Sequence, residues 1–190
     1  MKNMGNQIVY IEWKGPFSLS KLKGLCSEDD HGLYQIYGSH PVYGSSVLLY
    51  IGRTGVQSFG RTIHNEGWHH FDNADGLQVY LGKLLTGNEL PSKEKGHLIE
   101  KSYKILVYAH SPAYNAEFIN TFHDDRELHG LQIINWKNYR DLLPEVSGTK
   151  WASGLGVALE NFKLKKLFSE YEFELDASAA EYAACASGAR

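Results

Sequence analysis

Residues 32–52 read GLYQIYGSHPVYGSSVLLYIG, and the reading of this stretch decides the fold. From Gly32 to Gly38 the chain alternates, with Leu33, Gln35 and Tyr37 on one side and Tyr34 and Ile36 on the other. That is the period of a β-strand. Val47 to Ile51 forms a second apolar run. Between them, Ser39-His40-Pro41 and Gly44-Ser45-Ser46 supply turn chemistry, so the simplest arrangement is an antiparallel hairpin. Two strings in the hairpin match: Gly32-Leu33-Tyr34 and Tyr50-Ile51-Gly52 each set a tyrosine near a glycine at a strand end.

Working outward, Ser58 to Glu66 (SFGRTIHNE) takes a helical pattern with Ser58 as N-cap. Phe59 and Ile63 share one face, and Arg61 and His64 share another. Leu77 to Leu85 reads as a third strand. His97 to His110 follows helical spacing and is stopped by Ser111-Pro112. Upstream, Gln7 to Trp13 reads as a strand ended by Gly15-Pro16, and Ser18 to Leu25 as irregular or one helical turn. Downstream come a strand at Leu131 to Trp136, a helix at Leu155 to Phe168, and a small-residue tail from Ala177 to Arg190, read as a frayed helix or a disordered end. The expected class is α+β, one domain over residues 1–176 with its motif core at about 32–115, an extension over 116–176 and a flexible tail over 177–190.

The apolar share of 43% and aromatic share of 13% fit a folded globule and exclude a disordered chain. No run is long and apolar enough for a membrane span, and the N-terminal residues lack the apolar stretch of a signal peptide. Cys26 and Cys185 are too few and too far apart for a disulfide framework, so a reducing, cytoplasmic setting is expected. The net charge of −3 is not that of a protein gripping nucleic acid by bulk electrostatics. Residues 1–115 nevertheless hold 11 Lys and Arg against 10 Asp and Glu, while residues 116–190 hold 8 against 12. Any nucleic-acid contact therefore belongs to the first part and depends on a few placed cations.

Cleaving a phosphodiester requires an activated water, charge stabilisation on the phosphate and help for the departing oxygen. An arginine on a helix can clamp phosphate oxygens with its planar fork. A carboxylate can hold a hydrated divalent cation. A tyrosine can take a proton from water only with help, since at a pKa near 10 roughly one in a thousand is phenolate at pH 7. That deficit is worth about 4 kcal/mol, and a neighbouring cation must offset it. Tyr34 and Tyr50 beside Arg61 and a metal ion would form such a group. Tyrosine in a strand is also ordinary sheet packing, so the pairing across the hairpin carries the reading, not either residue alone.

The string GLYQIY…LLYIGRT…FGR, followed by SPAYN, resembles the GIY-YIG nuclease family over residues 32–115. The resemblance implies a small three-stranded antiparallel sheet flanked by helices, here with additional N- and C-terminal strands and helices. It implies a divalent-metal-dependent endonuclease. Tyr34 then matches the general base, and Tyr50 supports the same water or the scissile phosphate. Arg61 contacts the phosphate and Asn115 braces the site. The His or Tyr that the family adds after the arginine falls at His64 in an offset of three, with Asn65 at the usual four and His69 beyond. The metal-binding glutamate matches Glu100, which would carry Mg²⁺ or Mn²⁺. Counting twelve residues back from Asn115 instead reaches Tyr103. If Tyr103 fills that position, metal binding is lost.

Other groups have plainer readings. Trp68-His69-His70 with Asp72 invites zinc, yet adjacent histidines point apart, and solvated loop histidines are the expectation. Arg53 is either a second nucleic-acid contact beside Arg61 or a loop charge. Lys163, Lys165 and Lys166 read as a solvated helix face, and Trp13, Trp68, Trp136 and Trp151 as core and not a base-stacking platform. His110-Ser111 has no orienting third group, and Gly52 to Gly60 lacks the ending of a phosphate-binding loop. The expectation is an endonuclease acting on nucleic acid, DNA above RNA. The alternative is a non-catalytic nucleic-acid-binding or partner-binding domain on the same fold, and a histidine-cluster hydrolase is third. Target, oligomeric state and the role of residues 116–190 lie beyond the sequence.

Overall fold

The computed structural model describes residues 7–22, 31–55, 57–71, 74–85, 90–120 and 126–148. The expected helix at 155–168, the tail, Cys26, Cys185, Trp151, Asp72 and the Lys163, Lys165 and Lys166 group lie outside the described residues. The strands are β1 (Gln7–Phe17), β2 (Leu33–His40), β3 (Gly44–Arg53), β4 (Gln78–Leu84), β5 (Leu131–Lys137) and β6 (Glu145–Ser147). The helices are α1 (Leu19–Leu22), α2 (Phe59–Asn65), α3 (Ser92–His110) and α4 (Arg126–His129).

The class is α+β, built on one six-stranded mixed sheet that curls into a half-barrel, in the order β3-β2-β4-β1-β5-β6. Where a small three-stranded antiparallel sheet was expected, the sheet has six strands; within it β2 pairs antiparallel with both β3 and β4. The N-terminal strand does not form a separate layer. β1 pairs antiparallel with β4 and parallel with β5, which doubles the sheet. Val9, Ile11 and Trp13 are fully buried in it.

Several boundaries differ from the sequence reading, each for a local reason. β1 runs through Gly15-Pro16 to Phe17, because the ladder with β4 shifts register between Lys14 and Phe17. Proline has no N–H to give, and a bulge is where a sheet tolerates that. The hairpin turn is only Pro41 to Tyr43, since His40 still pairs with Gly44. α3 begins at Ser92 instead of His97 because its first residues are largely exposed and carry no apolar period. Ser58 stands at the N-cap of α2 with no side-chain capping bond.

β2 is buried along most of its length because both faces of the sheet are covered. On one face α3 lies against β3, β5 and β6, so the curled sheet wraps it, and Leu33, Tyr37 and Ile51 pack there with Ile105 and Leu106. On the other face Tyr34, Ile36, Leu49 and Val79 pack with Phe59 and Ile63 of α2 and Leu22 of α1. The expected alternation along β2 is the alternation between these two cores. No helix among the described residues is long and apolar enough to cross a membrane.

Candidate functional site

The hairpin register places Tyr34 opposite Gly52 and Ile36 opposite Tyr50. Positions 34, 36, 50 and 52 therefore share one face, and the rings of Tyr34 and Tyr50 lie 6.1 Å apart. A bulge at Leu49 follows at once, where the pairing jumps from Ile36–Tyr50 to Tyr37–Leu48. Gly52 has no positive φ. It is glycine because the phenol of Tyr34 lies across it, and a Cβ would fall inside that ring. The glycine of the second string thus makes room for the tyrosine of the first.

α2 ends beside this pair. Gly67 takes the left-handed conformation at φ 80°, and its N–H donates to the His64 carbonyl at 3.1 Å. The reversal brings Glu66 and Trp68 together. The indole Nε1 of Trp68 donates to Glu66 Oε2 at 2.9 Å, and the Tyr34 hydroxyl donates to Glu66 Oε1. Glu66 is exposed, whereas Trp68 and Tyr34 are buried. The carboxylate is therefore anchored from below and open above. Sequence reasoning missed it, although a signal exists: Phe59, Ile63 and Glu66 follow the i, i+4, i+7 spacing of one helix face. An acid in the apolar phase of a helix is the feature to notice.

The β3 edge is closed by the segment after α3. Ala113 and Tyr114 donate their N–H groups to the Leu48 and Leu49 carbonyls at 3.2 and 2.8 Å. Asn115 then imitates a strand residue with its side chain: Oδ1 accepts from the Ile51 N–H and Nδ2 donates to the Ile51 carbonyl, each at 2.9 Å. Asn115 also donates to the Tyr103 hydroxyl at 3.4 Å. It braces the strand that carries Tyr50.

On the α3 side, Arg53 forms an ion pair with Glu100 and lies over the Tyr103 ring at 5.0 Å. Lys104 also approaches Glu100, at 3.9 Å. Both Glu100 and Tyr103 are thus close to β3, but the Glu100 carboxylate is already faced by two cations. Arg61 is exposed on α2, opposite in helical phase to the buried Phe59–Ile63 face, and makes no hydrogen bond or ion pair among the described residues. His64 stacks on His69 at 4.5 Å and lines a separate cavity of about 180 Å³ with Leu19, Leu22 and Asp75. Among the described residues neither Arg61 nor His64 forms a hydrogen bond or ring contact with the tyrosine pair.

Electrostatics sets limits on the chemistry. Burial first, then the Glu66 charge, pushes the ionisation of Tyr34 far above the ordinary tyrosine value. The same two causes raise Tyr50, opposed by Arg53. Tyr103 is raised by burial, while its bond from Asn115 and the Arg53 charge act the other way. Where a cation was expected beside Tyr34, the structure has a carboxylate. No group of three or more His, Cys, Asp or Glu side chains among the described residues is arranged to hold a metal ion. His110 is structural, its ring held between the Leu106 carbonyl and the Leu143 N–H, each at 2.8 Å. Among the tryptophans, Trp13 and Trp68 are core and Trp136 is exposed. No family model matches the chain, and no similar curated protein or solved structure was found.

Proposed function

We propose that this protein hydrolyses phosphodiester bonds in nucleic acid, DNA foremost, at the site formed by Tyr34, Tyr50 and Glu66. The observation that carries the reading is the Tyr34–Glu66–Trp68 arrangement. Two buried donors hold one exposed carboxylate against a glycine-relieved tyrosine pair on a braced strand. The antiparallel neighbours β3, β2 and β4, with α2 and α3 beside them, also fit the small antiparallel sheet flanked by helices that the GIY-YIG resemblance implies.

In this mechanism the base role expected of Tyr34 is exercised through Glu66. A fully buried phenol with a raised pKa holds its proton, and an exposed carboxylate takes one from water. Tyr34 and Trp68 fix the orientation of that carboxylate. Tyr50, half-buried and neutral, orients the water by hydrogen bonding. The hydroxide attacks phosphorus, and the departing oxygen takes its proton from solvent. Arg53 and Arg61 are the cations available to the phosphate. Glu100 is the residue that would hold Mg²⁺ or Mn²⁺, because one carboxylate plus water oxygens suffices for such an ion. Its carboxylate, paired with Arg53, would be free for this once a nucleic-acid phosphate drew Arg53 away. A cation bound there would polarise the phosphoryl oxygen and support the leaving group.

The test is cleavage of plasmid, branched and single-stranded DNA with Mg²⁺, with Mn²⁺ and with chelator. Glu66→Gln and Tyr34→Phe should each lower the rate by roughly 10²–10⁴-fold, and Arg61→Ala should lower it as well. Undiminished cleavage by Glu66→Gln removes the carboxylate from the mechanism. Two observations favour a second reading, a binding domain without catalysis: Glu100 is closed by Arg53, and Tyr103 stands twelve residues before Asn115. Nucleic-acid binding with no cleavage in any metal would select it.

A further inference from the structure

Beyond the tyrosine pair, aromatic rings continue in an unbroken series from the site to the tip of the hairpin. Tyr50 lies 5.3 Å from Trp68, Trp68 5.6 Å from Phe71, and Phe71 5.5 Å from Tyr114. Tyr114 lies 5.1 Å from His40, and His40 stacks on Tyr43 at 4.5 Å with ring planes 22° apart. The inner members are buried or half-buried, as core aromatics should be. The outer ones are not: Tyr43 is 65% exposed and Tyr114 38%, and Val42 beside them is 79% exposed. Exposed aromatics gathered at one place mark a contact surface.

The outer rings are also held in place. His40 Nδ1 accepts the backbone N–H groups of Val42 and Tyr43 at 3.1 and 3.2 Å, which fixes the turn under the Tyr43 ring. The Tyr114 N–H is bonded to β3 at 2.8 Å. A rigid ring loses little freedom when it accepts a partner.

Charge identifies the partner. The chain carries 22 acidic residues, yet none occurs from residue 31 to residue 65, where Arg53 and Arg61 stand. That span includes the whole hairpin and all of α2. The first acid is Glu66, at the inner end of the series. Aromatic rings on a hairpin that itself carries no carboxylate suit the bases and phosphates of a single strand, which an acidic side chain there would repel.

We propose that Tyr43, His40 and Tyr114 form a stacking platform for the unpaired bases of a nucleic-acid strand, which leads that strand to the Tyr50–Glu66 site. The substrate class is then nucleic acid with a single-stranded segment, such as a flap, a fork or a free strand. This rests on the phosphodiesterase reading for its direction, though not for the binding itself.

The experiment measures fluorescence anisotropy of labelled thymidine and uridine oligonucleotides, and of the matching duplexes, in chelator so that no cleavage occurs. The full chain should bind a single strand more tightly than its duplex. Tyr43→Ala and Tyr114→Ala should each weaken single-strand binding by about five- to a hundred-fold, and Tyr43→Phe should restore it, because stacking needs the ring and not the hydroxyl. Tyr43 stands at an exposed turn, so thermal unfolding of its variants should match the parent. Duplex binding equal to or tighter than single-strand binding, unchanged binding by both alanine variants, or no binding at all overturns the proposal. So does a Tyr43→Ala effect confined to self-association in sedimentation, which would assign the platform to a second copy of the chain. A parallel cleavage assay with metal separates the two claims: absence of cleavage with intact single-strand preference refutes hydrolysis alone, and cleavage without that preference refutes the platform alone.

Discussion

At residue 52 the whole hairpin depends on a missing carbon. The Tyr34 ring occupies the space where a side chain would begin, and Tyr34 is itself fixed by its bond to Glu66. Gly52→Ala therefore forces either the ring or the strand to move, since neither a buried aromatic nor a paired backbone yields cheaply. The expected cost is about 1–3 kcal/mol in urea unfolding, typical of overpacking. The cause can be isolated. In a Tyr34→Leu background the side chain no longer lies across residue 52, so Gly52→Ala should cost markedly less there. Additive effects of the two substitutions would show that Gly52 serves the backbone and not the ring. Tyr34 and Tyr50 were legible in the sequence because strand alternation and hairpin pairing are local. Glu66 was readable in principle from its helical phase, but an exposed-looking acid before a glycine reads as an ordinary helix end. The Arg53–Glu100 pair was not readable, since no spacing within one element reports which side chain from another will meet it.

Elements are joined here by single side chains, and α3 shows how. Its last residue, His110, donates from Nδ1 to the Leu106 carbonyl and accepts at Nε2 from the Leu143 N–H, which ties the helix end to the segment between β5 and β6. That geometry requires a neutral ring. A proton on Nε2 would face the Leu143 N–H with nothing to accept it. Burial lowers the His110 pKa, only partly opposed by the Leu106 bond. The unfolded chain therefore binds this proton more readily than the folded one. The stabilisation is complete above the unfolded value near 6.5 and is lost as the pH falls below it. The urea midpoint of the parent should drop between pH 7.5 and about 5.5, and the drop should be smaller in His110→Gln. At pH 7.5 that substitution should cost about 1 kcal/mol if the Leu143 bond is not remade. An equal drop in both proteins would assign the pH response to other histidines. The helix itself was legible from Leu98, Ser102 and Ile105. Its first turn was not, because Ser92 to His97 largely face solvent and leave no periodic trace.

The whole molecule is where the sequence reading stopped short, and the reason is topological. A strand's apolar pattern says that it pairs, not with which neighbour. β1 reads the same at the edge of a small sheet as it does at its actual position between β4 and β5. Its parallel partner begins more than a hundred residues later, and Trp13 Nε1 reaches Asn135 Oδ1 at 2.9 Å across 122 residues of chain. The same Asn135 holds the Leu143 carbonyl at 2.7 Å. Further along, the Arg140 guanidinium lies 3.8 Å over the Tyr37 ring of the hairpin and bonds Gln78 of β4 at 2.8 Å. The hairpin, α2 and α3 are thus built into a larger core. A fragment of residues 31–120 would keep Tyr34, Tyr50, Glu66, Glu100 and Asn115 but lose Val9, Ile11, Trp13, Leu131 and Ile133, all buried against it. At roughly 1.5–3 kcal/mol each, those side chains account for about 10 kcal/mol, as much as the net stability of an ordinary domain. The fragment should therefore show no cooperative urea transition and poorly dispersed amide resonances, whereas the full chain should unfold cooperatively. A fragment that unfolds cooperatively would show instead that β3-β2-β4 with α2 and α3 is a self-sufficient unit to which β1, β5 and β6 are accessories.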